Sequence, residues 1–284
     1  MFSQQTICNT MPLSCFRMFL LILGVTYCNI SFGQIYSSKD STAKPIPLAK
    51  PIIKRPKPIT KETSAGLRLN TDGWTAFFER GRVKAQDAKR MDMFHDVRIF
   101  QIEFSERRHP KELRMYGWDR DRQSDEMYVF GKINNFYALK LNWGMRKMLA
   151  GKPYPKSVSV HWVYAGGLSL GLLKPYYVNA YNGVGQKEMM KYSADNSAYF
   201  LNALNVIGAG GFAQGIGEIK IKPGLHLKTA LHFDYASDKF LVSAVEIGTT
   251  AEVYASKIEL MASQKATPFF FNLYAGIQFG KRKR

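Results

Sequence analysis

The sequence contains little cysteine, and all of it lies near the N-terminus. The three cysteines are Cys8, Cys15 and Cys28 in a chain of 284 residues. If the segment that contains them is removed after export, the remaining chain can hold neither a disulfide nor a thiolate metal site. Beyond that segment there is also no apolar run of about 18 residues, which argues against a membrane-spanning helix.

A nucleotide-binding loop is lacking as well. The glycine-rich segments at residues 208–211 and 215–217 are not followed by the lysine and hydroxyl residue of a phosphate-binding loop. No pattern of a strand followed by a helix surrounds them either. We therefore expect these glycines to lie in loops or turns.

The chain is strongly basic, and its positive charge is concentrated at the two ends of the chain. The formal net charge is +18, and much of it comes from a lysine-rich stretch before residue 62 and from the last four residues, 281–284. Basic ends around a nearly balanced middle argue against a nucleic-acid-binding surface. They fit segments that lie close to an anionic membrane better.

Residues 1–33 have the pattern of an export signal peptide. Arg17 supplies a positive charge, residues 18–25 form a short apolar core, and Ser31 and Gly33 provide small side chains before a cleavage site. This pattern predicts a mature N-terminus at Gln34. The alternative is a lipoprotein that is cleaved before Cys28, although the bulky Tyr27 precedes that position.

Residues 34–65 alternate prolines with lysines, a composition typical of an extended and solvated segment. We expect a disordered N-terminal arm in the periplasm. It serves as a linker or, alternatively, as an arm that touches a partner or the cell wall.

From residue 66 to residue 284 the dominant pattern is a period of two, which is typical of β-strands with two different faces. The last such segment is the clearest. One face is apolar and the other is small or polar: Phe269, Phe271, Leu273, Ala275, Ile277 and Phe279 alternate with Phe270, Asn272, Tyr274, Gly276, Gln278 and Gly280. A tilted strand that spans a membrane in a barrel needs about ten residues with such faces.

Seven segments alternate in this way, at about residues 66–80, 97–105, 136–146, 158–172, 225–235, 241–256 and 268–284. Single-chain bacterial barrels have an even number of strands, so we expect an eighth at residues 215–222 with a turn at Pro223 and Gly224. The predicted fold is all-β, an antiparallel transmembrane β-barrel of about eight strands over residues 66–284. The alternative is a soluble exported barrel or sandwich with its apolar face inside.

Three features favour the membrane version: the length of the strands, the many small residues on the second face, and aromatic residues near strand ends. The aromatic residues expected in an interfacial girdle are Trp74, Tyr137, Trp143, Trp162, Tyr235 and Tyr274. The charged residues expected inside the barrel are Arg68, Asp72, Glu103, Lys140, Lys228, Asp234, Glu246 and Glu252. Acids and bases confined there must pair, which predicts a closed, cross-linked lumen.

Few residues suggest chemistry, and we predict no catalytic, cofactor-binding or metal-binding residue. Ser159 and His161 share a face, but residues two apart on a strand lie roughly 7 Å apart, too far for a nucleophile and its base. His226 and His232 share a face with acids, which predicts internal ion pairs and not a metal site. The basic and aromatic mixture at residues 114–122 suggests lipopolysaccharide phosphate as a bound anion.

Three stretches carry a resemblance to a known group: GLRLNTDGW at residues 66–74, YAGGLSLGLLKPYY at residues 164–177, and FFFNLYAGIQFGKRKR at residues 269–284. With the predicted cleavage site, they resemble the small outer-membrane β-barrel proteins of Bacteroidota, a group that includes PorT-like proteins of the type IX secretion apparatus. The resemblance covers residues 66–284 and brings no catalytic signature.

The resemblance and the barrel pattern together imply a non-enzymatic protein of the cell outer membrane, either a structural scaffold or an accessory to a secretion or envelope complex. The alternative is a small lipid-modifying enzyme or a narrow, transporter-like pore. The expected partners are outer-membrane lipid, lipopolysaccharide, the barrel assembly machinery, and envelope or secretion-system proteins, without nucleic acid.

Overall fold

A computed structural model of the chain describes residues 59–83, 96–120, 122–152, 154 and 156–284. The predicted signal peptide and nearly all of the predicted linker lie outside these residues. Within them, no helix has both the length and the hydropathy that crossing a membrane requires.

Thirteen strands are present in the described part of the chain, and eight of them form a closed barrel. The barrel strands are β1 (Lys61–Asn70), β2 (Gly73–Val83), β3 (Val97–Arg107), β6 (Asn134–Ala150), β7 (Ser159–Pro175), β11 (Lys220–Asp234), β12 (Leu241–Ile258) and β13 (Thr267–Lys283). The others are β4 (Arg114–Asp119), β5 (Arg122–Val129), β8 (Tyr177–Tyr181), β9 (Lys187–Lys191) and β10 (Val206–Ala209).

Neighbouring barrel strands are all antiparallel, in the order β1-β13-β12-β11-β7-β6-β3-β2. The first and last strands close the ring, with Lys61 opposite Lys283 and Asn70 opposite Tyr274. Closure leaves no exposed sheet edge, so every strand has a hydrogen-bonding partner on both sides. The predicted all-β barrel of eight strands is confirmed.

The barrel has its apolar face outside and its polar face inside. On β13, for example, Phe271 is 60% exposed and Gln278 is fully buried. The same alternation runs along the other barrel strands, where exposed leucine, isoleucine and phenylalanine alternate with buried charged or small residues. This is the arrangement of barrels that face lipid, and it is opposite to that of a soluble barrel around an apolar core.

The eighth strand is not the one that we predicted. The segment expected to be one strand, residues 66–80, is two strands, β1 and β2, joined by a tight turn at Thr71 and Asp72. Gly73 follows the turn with a φ of 151°, and a Cβ there would lie 2.0 Å from the carbonyl oxygen of Glu106. The turn therefore requires glycine at this position, where the alternating pattern of residues 66–80 predicted a continuous strand.

The prediction of a separate strand at residues 215–222 was wrong. Residues Ile216–Glu218 form a 3-10 turn, and β11 begins at Lys220 and continues through Pro223 without a turn. At Pro223 only β7 is paired with β11, because the pairing with β12 begins at Gly224. Proline is tolerated where one side of a strand needs no amide donor.

The predicted boundary between the linker and the barrel at residue 66 also needs correction. Strand β1 begins at Lys61, and Lys61 and Glu62 already pair with residues of both β13 and β2. Lysine and glutamate occur here because Lys61 points to the outside at the end of the barrel, whereas Glu62 points to the ion pairs inside.

The two ends of the barrel differ. One end, which we call the terminal end, carries the start of β1 and the end of β13, together with the ends of β2, β6 and β11 and the starts of β3, β7 and β12. The opposite end, the cap end, carries the two long insertions at residues 108–133 and 176–219, which together form the cap. Long loops at one end and termini at the other are the arrangement of outer-membrane barrels.

The cap is a folded unit, although the period of two predicted none of its five strands. Strands β4 and β5 form a hairpin, and β10, β8 and β9 form a three-stranded sheet. The buried residues of its core come from both insertions: Tyr128, Val178, Ala180, Met190, Phe200 and Val206.

Candidate functional site in the lumen and the cap

The inward-facing positions of the barrel strands form a charged lumen. Among the described residues, seven acids and six bases meet there, each with a side chain at most 10% exposed. The acids are Glu62, Asp72, Glu79, Glu103, Asp234, Glu246 and Glu252, and the bases are Arg68, Arg107, Lys140, Arg146, Lys228 and Arg282. All eight of the charged residues predicted for the interior are among them.

Near the cap end the network centres on Glu252 of β12. Its carboxylate accepts hydrogen bonds from Arg107 on one oxygen and from Tyr254 Oη, at 2.8 Å, on the other. Lys140 forms an ion pair with the same group. Above this layer, Phe136 and Phe270 stack with ring centroids 5.6 Å apart and contact the Tyr254 ring. Aromatic side chains therefore cover the ion pairs on the side of the cap.

In the middle of the barrel, Arg68 bridges two acids. Its guanidinium lies 2.7 Å from Glu103 and 3.3 Å from Glu246, and it sits 4.0 Å from the centre of the Phe77 ring. Glu246 also accepts a hydrogen bond of 2.8 Å from the hydroxyl of Tyr274. Arginine suits such a position because its planar group can serve several acceptors at once.

At the terminal end, a chain of pairs links five strands. Arg146 of β6 contacts both Glu79 and Glu62, at 2.7 Å for the latter. Glu62 in turn lies 2.9 Å from Arg282, which also reaches Asp234. Since each carboxylate here has at least one cationic partner, the cost of burying these charges is largely offset.

The sequence analysis did not identify several members of this network. Glu62 fell in the predicted linker, Arg107 lay beyond the end of the strand predicted at residues 97–105, and Arg282 belonged to the basic last four residues. The period of two would have found Arg146 and Arg282, because both continue the inward face of a strand that was already recognised. Glu62 and Arg107 required the correct strand boundaries.

The pair Ser159 and His161 does not form a catalytic arrangement. Ser159 lies opposite Asp234 and His161 opposite His232 in the register of β7 with β11. The two imidazole rings are 5.8 Å apart, and Nδ1 of His161 has no hydrogen-bond partner among the described residues. A base that activates a serine must contact it, and this contact is not formed here.

The other luminal histidines belong to the polar network. Nδ1 of His226 lies 2.7 Å from the side-chain oxygen of Asn142, and Nε2 of His232 lies 3.4 Å from the guanidinium of Arg146. Within the residues that the structure describes, no group of three or more histidine, cysteine, aspartate or glutamate side chains is arranged to hold a metal ion.

The expected aromatic girdle is present in part. Trp143, Trp162 and Tyr235 are exposed on the outer wall, and Trp74 donates a hydrogen bond of 2.7 Å to Glu106 at the cap end. The prediction that Tyr274 belongs to the girdle was wrong. Its side chain is buried in the lumen, where its hydroxyl donates the hydrogen bond to Glu246 described above.

The basic and aromatic segment at residues 114–122 lies in the β4–β5 hairpin of the cap. Asp119 at its tip accepts hydrogen bonds from Tyr181 Oη at 2.6 Å and from Lys187 Nζ at 3.1 Å. The glycines of residues 208–211 lie at β10 and just after it, where the two sheets approach closely. A Cβ on Gly117 would lie 1.6 Å from the carbonyl oxygen of Ile207.

A second polar contact closes the cap on its other side. Glu218, in the 3-10 turn, accepts a hydrogen bond of 2.7 Å from the hydroxyl of Tyr177 and forms an ion pair with Lys191. The hydrogen bond from Lys191, followed by the one from Tyr177, lowers the pKa of the Glu218 carboxyl below its ordinary value. These contacts fix the start of β11 to the sheet of the cap.

No family model matches the chain, and no curated protein matches it either. Among solved structures it is similar to Neisserial surface protein A, with 8% identity and a TM-score of 0.35, over 78% of this chain and 95% of that one. It is also similar to Ail, the attachment invasion locus protein of Yersinia pestis, with 10% identity and a TM-score of 0.34, over 80% and 99% of the two chains.

Proposed function

We propose that this protein is a non-enzymatic β-barrel of the outer membrane that does not conduct ions. It serves as a scaffold, and its cap is the surface that a partner from a secretion or envelope complex contacts. The observation that carries this proposal is the lumen, in which buried acids and bases pair across the barrel.

The outer-membrane location is supported by the exterior of the barrel. Its strands have 10 to 18 residues, and about ten residues suffice for a tilted strand to cross a bilayer. Their outward positions are exposed and apolar. Such a surface is unstable in water and is stabilised by lipid.

The absence of conduction is supported by the size of the side chains that fill the lumen. Arg68, Arg107, Arg146 and Lys140 are among the largest fully buried side chains in the described residues. An eight-stranded barrel has an interior just wide enough for side chains to fill it. An ion that passed through would have to break several charge pairs whose side chains are buried.

A scaffold function is supported by the cap. Its own apolar core keeps it folded, while it exposes large apolar side chains to the outside: Leu113, Tyr116, Met127, Leu204 and Phe212. Exposed apolar residues on a rigid unit are typical of protein-binding surfaces. The resemblance of the three stretches quoted above to PorT-like proteins is the reason for preferring a secretion or envelope complex as the partner.

The first experiment measures location and conduction together. Fractionation of the envelope should place the protein with the outer membrane, and the purified protein should show no steady single-channel current in planar bilayers. A large, ion-selective current would overturn the scaffold proposal and favour a pore.

The second experiment tests the cap as the contact surface. A photo-reactive amino acid at Tyr116, on the cap, should give a discrete cross-linked product in intact cells. The same amino acid at Tyr154, which is exposed at the terminal end, should give none of that product. Cross-links that form from Tyr154 alone would place the partner at the other end of the barrel and contradict the proposal.

A further inference from the structure

The outer wall of the barrel carries a band of cations at the terminal end that a scaffold function does not require. We call this band the basic rim. It covers four adjacent strands, and its members are exposed: Lys61, Arg80, Arg82, Arg98, Lys281 and Lys283.

The register of the strands places these like charges beside one another. Lys61 lies opposite Lys283 on one side and opposite Arg82 on the other, and Arg82 lies opposite Arg98. Residues in directly opposed positions have Cβ atoms about 5 Å apart, and like charges there are destabilising. A bound anion between these cations would therefore stabilise the arrangement.

None of the residues that the structure describes provides that anion. Glu62, the nearest acid in sequence, points inward and pairs with Arg146 and Arg282. No rim cation forms an ion pair within the described part of the chain. The cap end differs, because the exposed Arg108 there is paired with Glu106 at 3.1 Å.

The rim also lies at a defined height on the barrel. The next outward residues above it are Phe78 on β2 and Phe279 on β13, which lie on either side of Ala65 in one row. Arg80 is directly opposite the exposed Phe100. Cations that adjoin an apolar belt lie at the level of lipid headgroups, where basic residues are attracted to anionic lipid.

A shallow pocket at the centre of the rim provides a place for a headgroup. It has a volume of about 270 Å³ and is lined by Lys61, Glu62, Thr63, Arg80, Gly81, Arg82 and Lys283. The carboxylate of Glu62 is the one acidic group of this lining, and it is paired with Arg146 and Arg282 inside the barrel. Three strands therefore contribute cations, and a threonine adds a hydroxyl donor. Lysine and arginine both bind phosphate oxygens, and arginine does so with two parallel hydrogen bonds.

We propose that the basic rim binds the phosphate headgroup of an anionic phospholipid, of the phosphatidylglycerol or cardiolipin type, in the leaflet at the terminal end. This inference rests on the proposed insertion into the outer membrane. The terminal end is opposite the long insertions and therefore faces the periplasm, where the leaflet consists of phospholipid. For this reason phospholipid, and not lipopolysaccharide, is the ligand.

The test uses the full chain in nanodiscs of phosphatidylethanolamine with a minor fraction of phosphatidylglycerol. Native mass spectrometry measures how much phosphatidylglycerol stays bound relative to phosphatidylethanolamine. The rim variant carries Lys61→Gln, Arg80→Gln, Arg82→Gln and Lys283→Gln. The control variant loses as much charge at the cap end, through Arg114→Gln, Arg122→Gln, Lys220→Gln and Lys222→Gln.

We expect the rim variant to lose the preference for phosphatidylglycerol by about tenfold or more, because each basic residue near an anionic surface adds to the attraction for anionic lipid. The control variant should keep it. An equal loss in both variants, or no loss in the rim variant, would overturn the proposal. So would a rim-dependent preference for lipopolysaccharide when it replaces phosphatidylglycerol in the nanodiscs.

Insertion is measured separately, by co-elution of the protein with the nanodisc. A wild-type chain that does not co-elute contradicts the proposed outer-membrane function, whereas one that co-elutes without any lipid preference contradicts only the role of the rim. If the fourfold variant does not insert, a variant with only Arg82→Gln and Lys283→Gln is measured in its place. If this double variant keeps the full preference for phosphatidylglycerol, the proposal is overturned as well.

Discussion

Arg68 and Glu103 form an ion pair of 2.7 Å inside the barrel, and the side chain of each is only 1% exposed. The pair joins β1 to β3 and therefore spans the strand between them. We predict that Arg68→Met lowers the free energy of unfolding by about 3–5 kcal/mol, because it leaves a buried carboxylate without its cation. Urea unfolding in lipid vesicles, followed by the gel mobility of the folded barrel, measures this loss.

The double variant Arg68→Met with Glu103→Leu serves as the control for that prediction. It removes both charges together, so part of the lost stability should return. If the double variant is as unstable as the sum of the two single variants, the two residues are not coupled and the ion pair does not stabilise the barrel.

Lys228→Met should have a smaller effect than Arg68→Met, although Lys228 is buried to a similar degree. Its ammonium group lies 2.8 Å from Gln101 and 3.3 Å from Glu246. Without it, Glu246 keeps Arg68 at 3.3 Å and the hydroxyl of Tyr274 at 2.8 Å. We expect a loss of about 1–3 kcal/mol in the same unfolding measurement. A loss larger than that of Arg68→Met would show that Lys228 is the main partner of Glu246.

Which side chains of each strand point outward and which point inward could be predicted from the sequence, because this is a local property. Successive side chains of a strand point to opposite faces, so Phe271 and Gln278, which are seven positions apart, must lie on different sides. The predicted luminal charges followed from the same rule. Neither conclusion required knowledge of which strands are neighbours.

The partners within the lumen could not be predicted, because they depend on contacts between distant parts of the chain. Arg107 reaches Glu252, 145 positions away, and this depends on how the strands are staggered around the barrel. The turn between β1 and β2 was missed because Thr71 and Asp72 fit an uninterrupted alternation. The cap was missed because its strands are short and their apolar faces are buried only by each other.

Substitutions on the outer wall should show the depth of each position in the bilayer. Leu273 and Phe279 are both exposed on β13, the first near the middle of the apolar belt and the second beside the basic rim. Leu273→Arg should lower the free energy of unfolding by about 2–4 kcal/mol and Phe279→Arg by about 1 kcal/mol or less. Folding yield into vesicles across a urea series measures both.

The two substitutions control for each other, since they introduce the same side chain on the same strand. Equal losses would contradict the placement of the membrane around the middle of β13. The inward position Gln278 is not suitable as a control, because it is fully buried and hydrogen-bonded to Glu79 at 3.0 Å.

The contact between Glu218 and Lys191 in the cap predicts a pH dependence. The hydrogen bond from Lys191, then that from Tyr177, lowers the pKa of Glu218 below its ordinary value of 4.5. Because the folded pKa is the lower one, the stabilisation is present above pH 4.5 and is lost as the pH falls through the folded value. Both groups are exposed, so we expect only a small effect on stability.

Nuclear magnetic resonance titration of the Glu218 carboxyl carbon tests this directly. The midpoint should lie below 4.5 in the natural protein and should rise in Lys191→Met, which removes the largest cause of the shift. A midpoint that is the same in both proteins would show that the ion pair does not form in solution.

The cap should unfold separately from the barrel when its core is disrupted. Phe200 is buried in that core, with its ring 5.5 Å from the ring of Tyr192. Phe200→Ala should destabilise the cap by about 3–5 kcal/mol through the cavity that it leaves, whereas the barrel is held by its own strand pairing. We expect proteases to cut the cap of this variant in proteoliposomes while the gel mobility of the folded barrel stays unchanged.

Leu204→Ala, at an exposed position of the cap, is the control and should remain resistant. If Phe200→Ala unfolds the barrel at the same urea concentration as the cap, the two form one cooperative unit, and the cap is not an independent platform on the barrel.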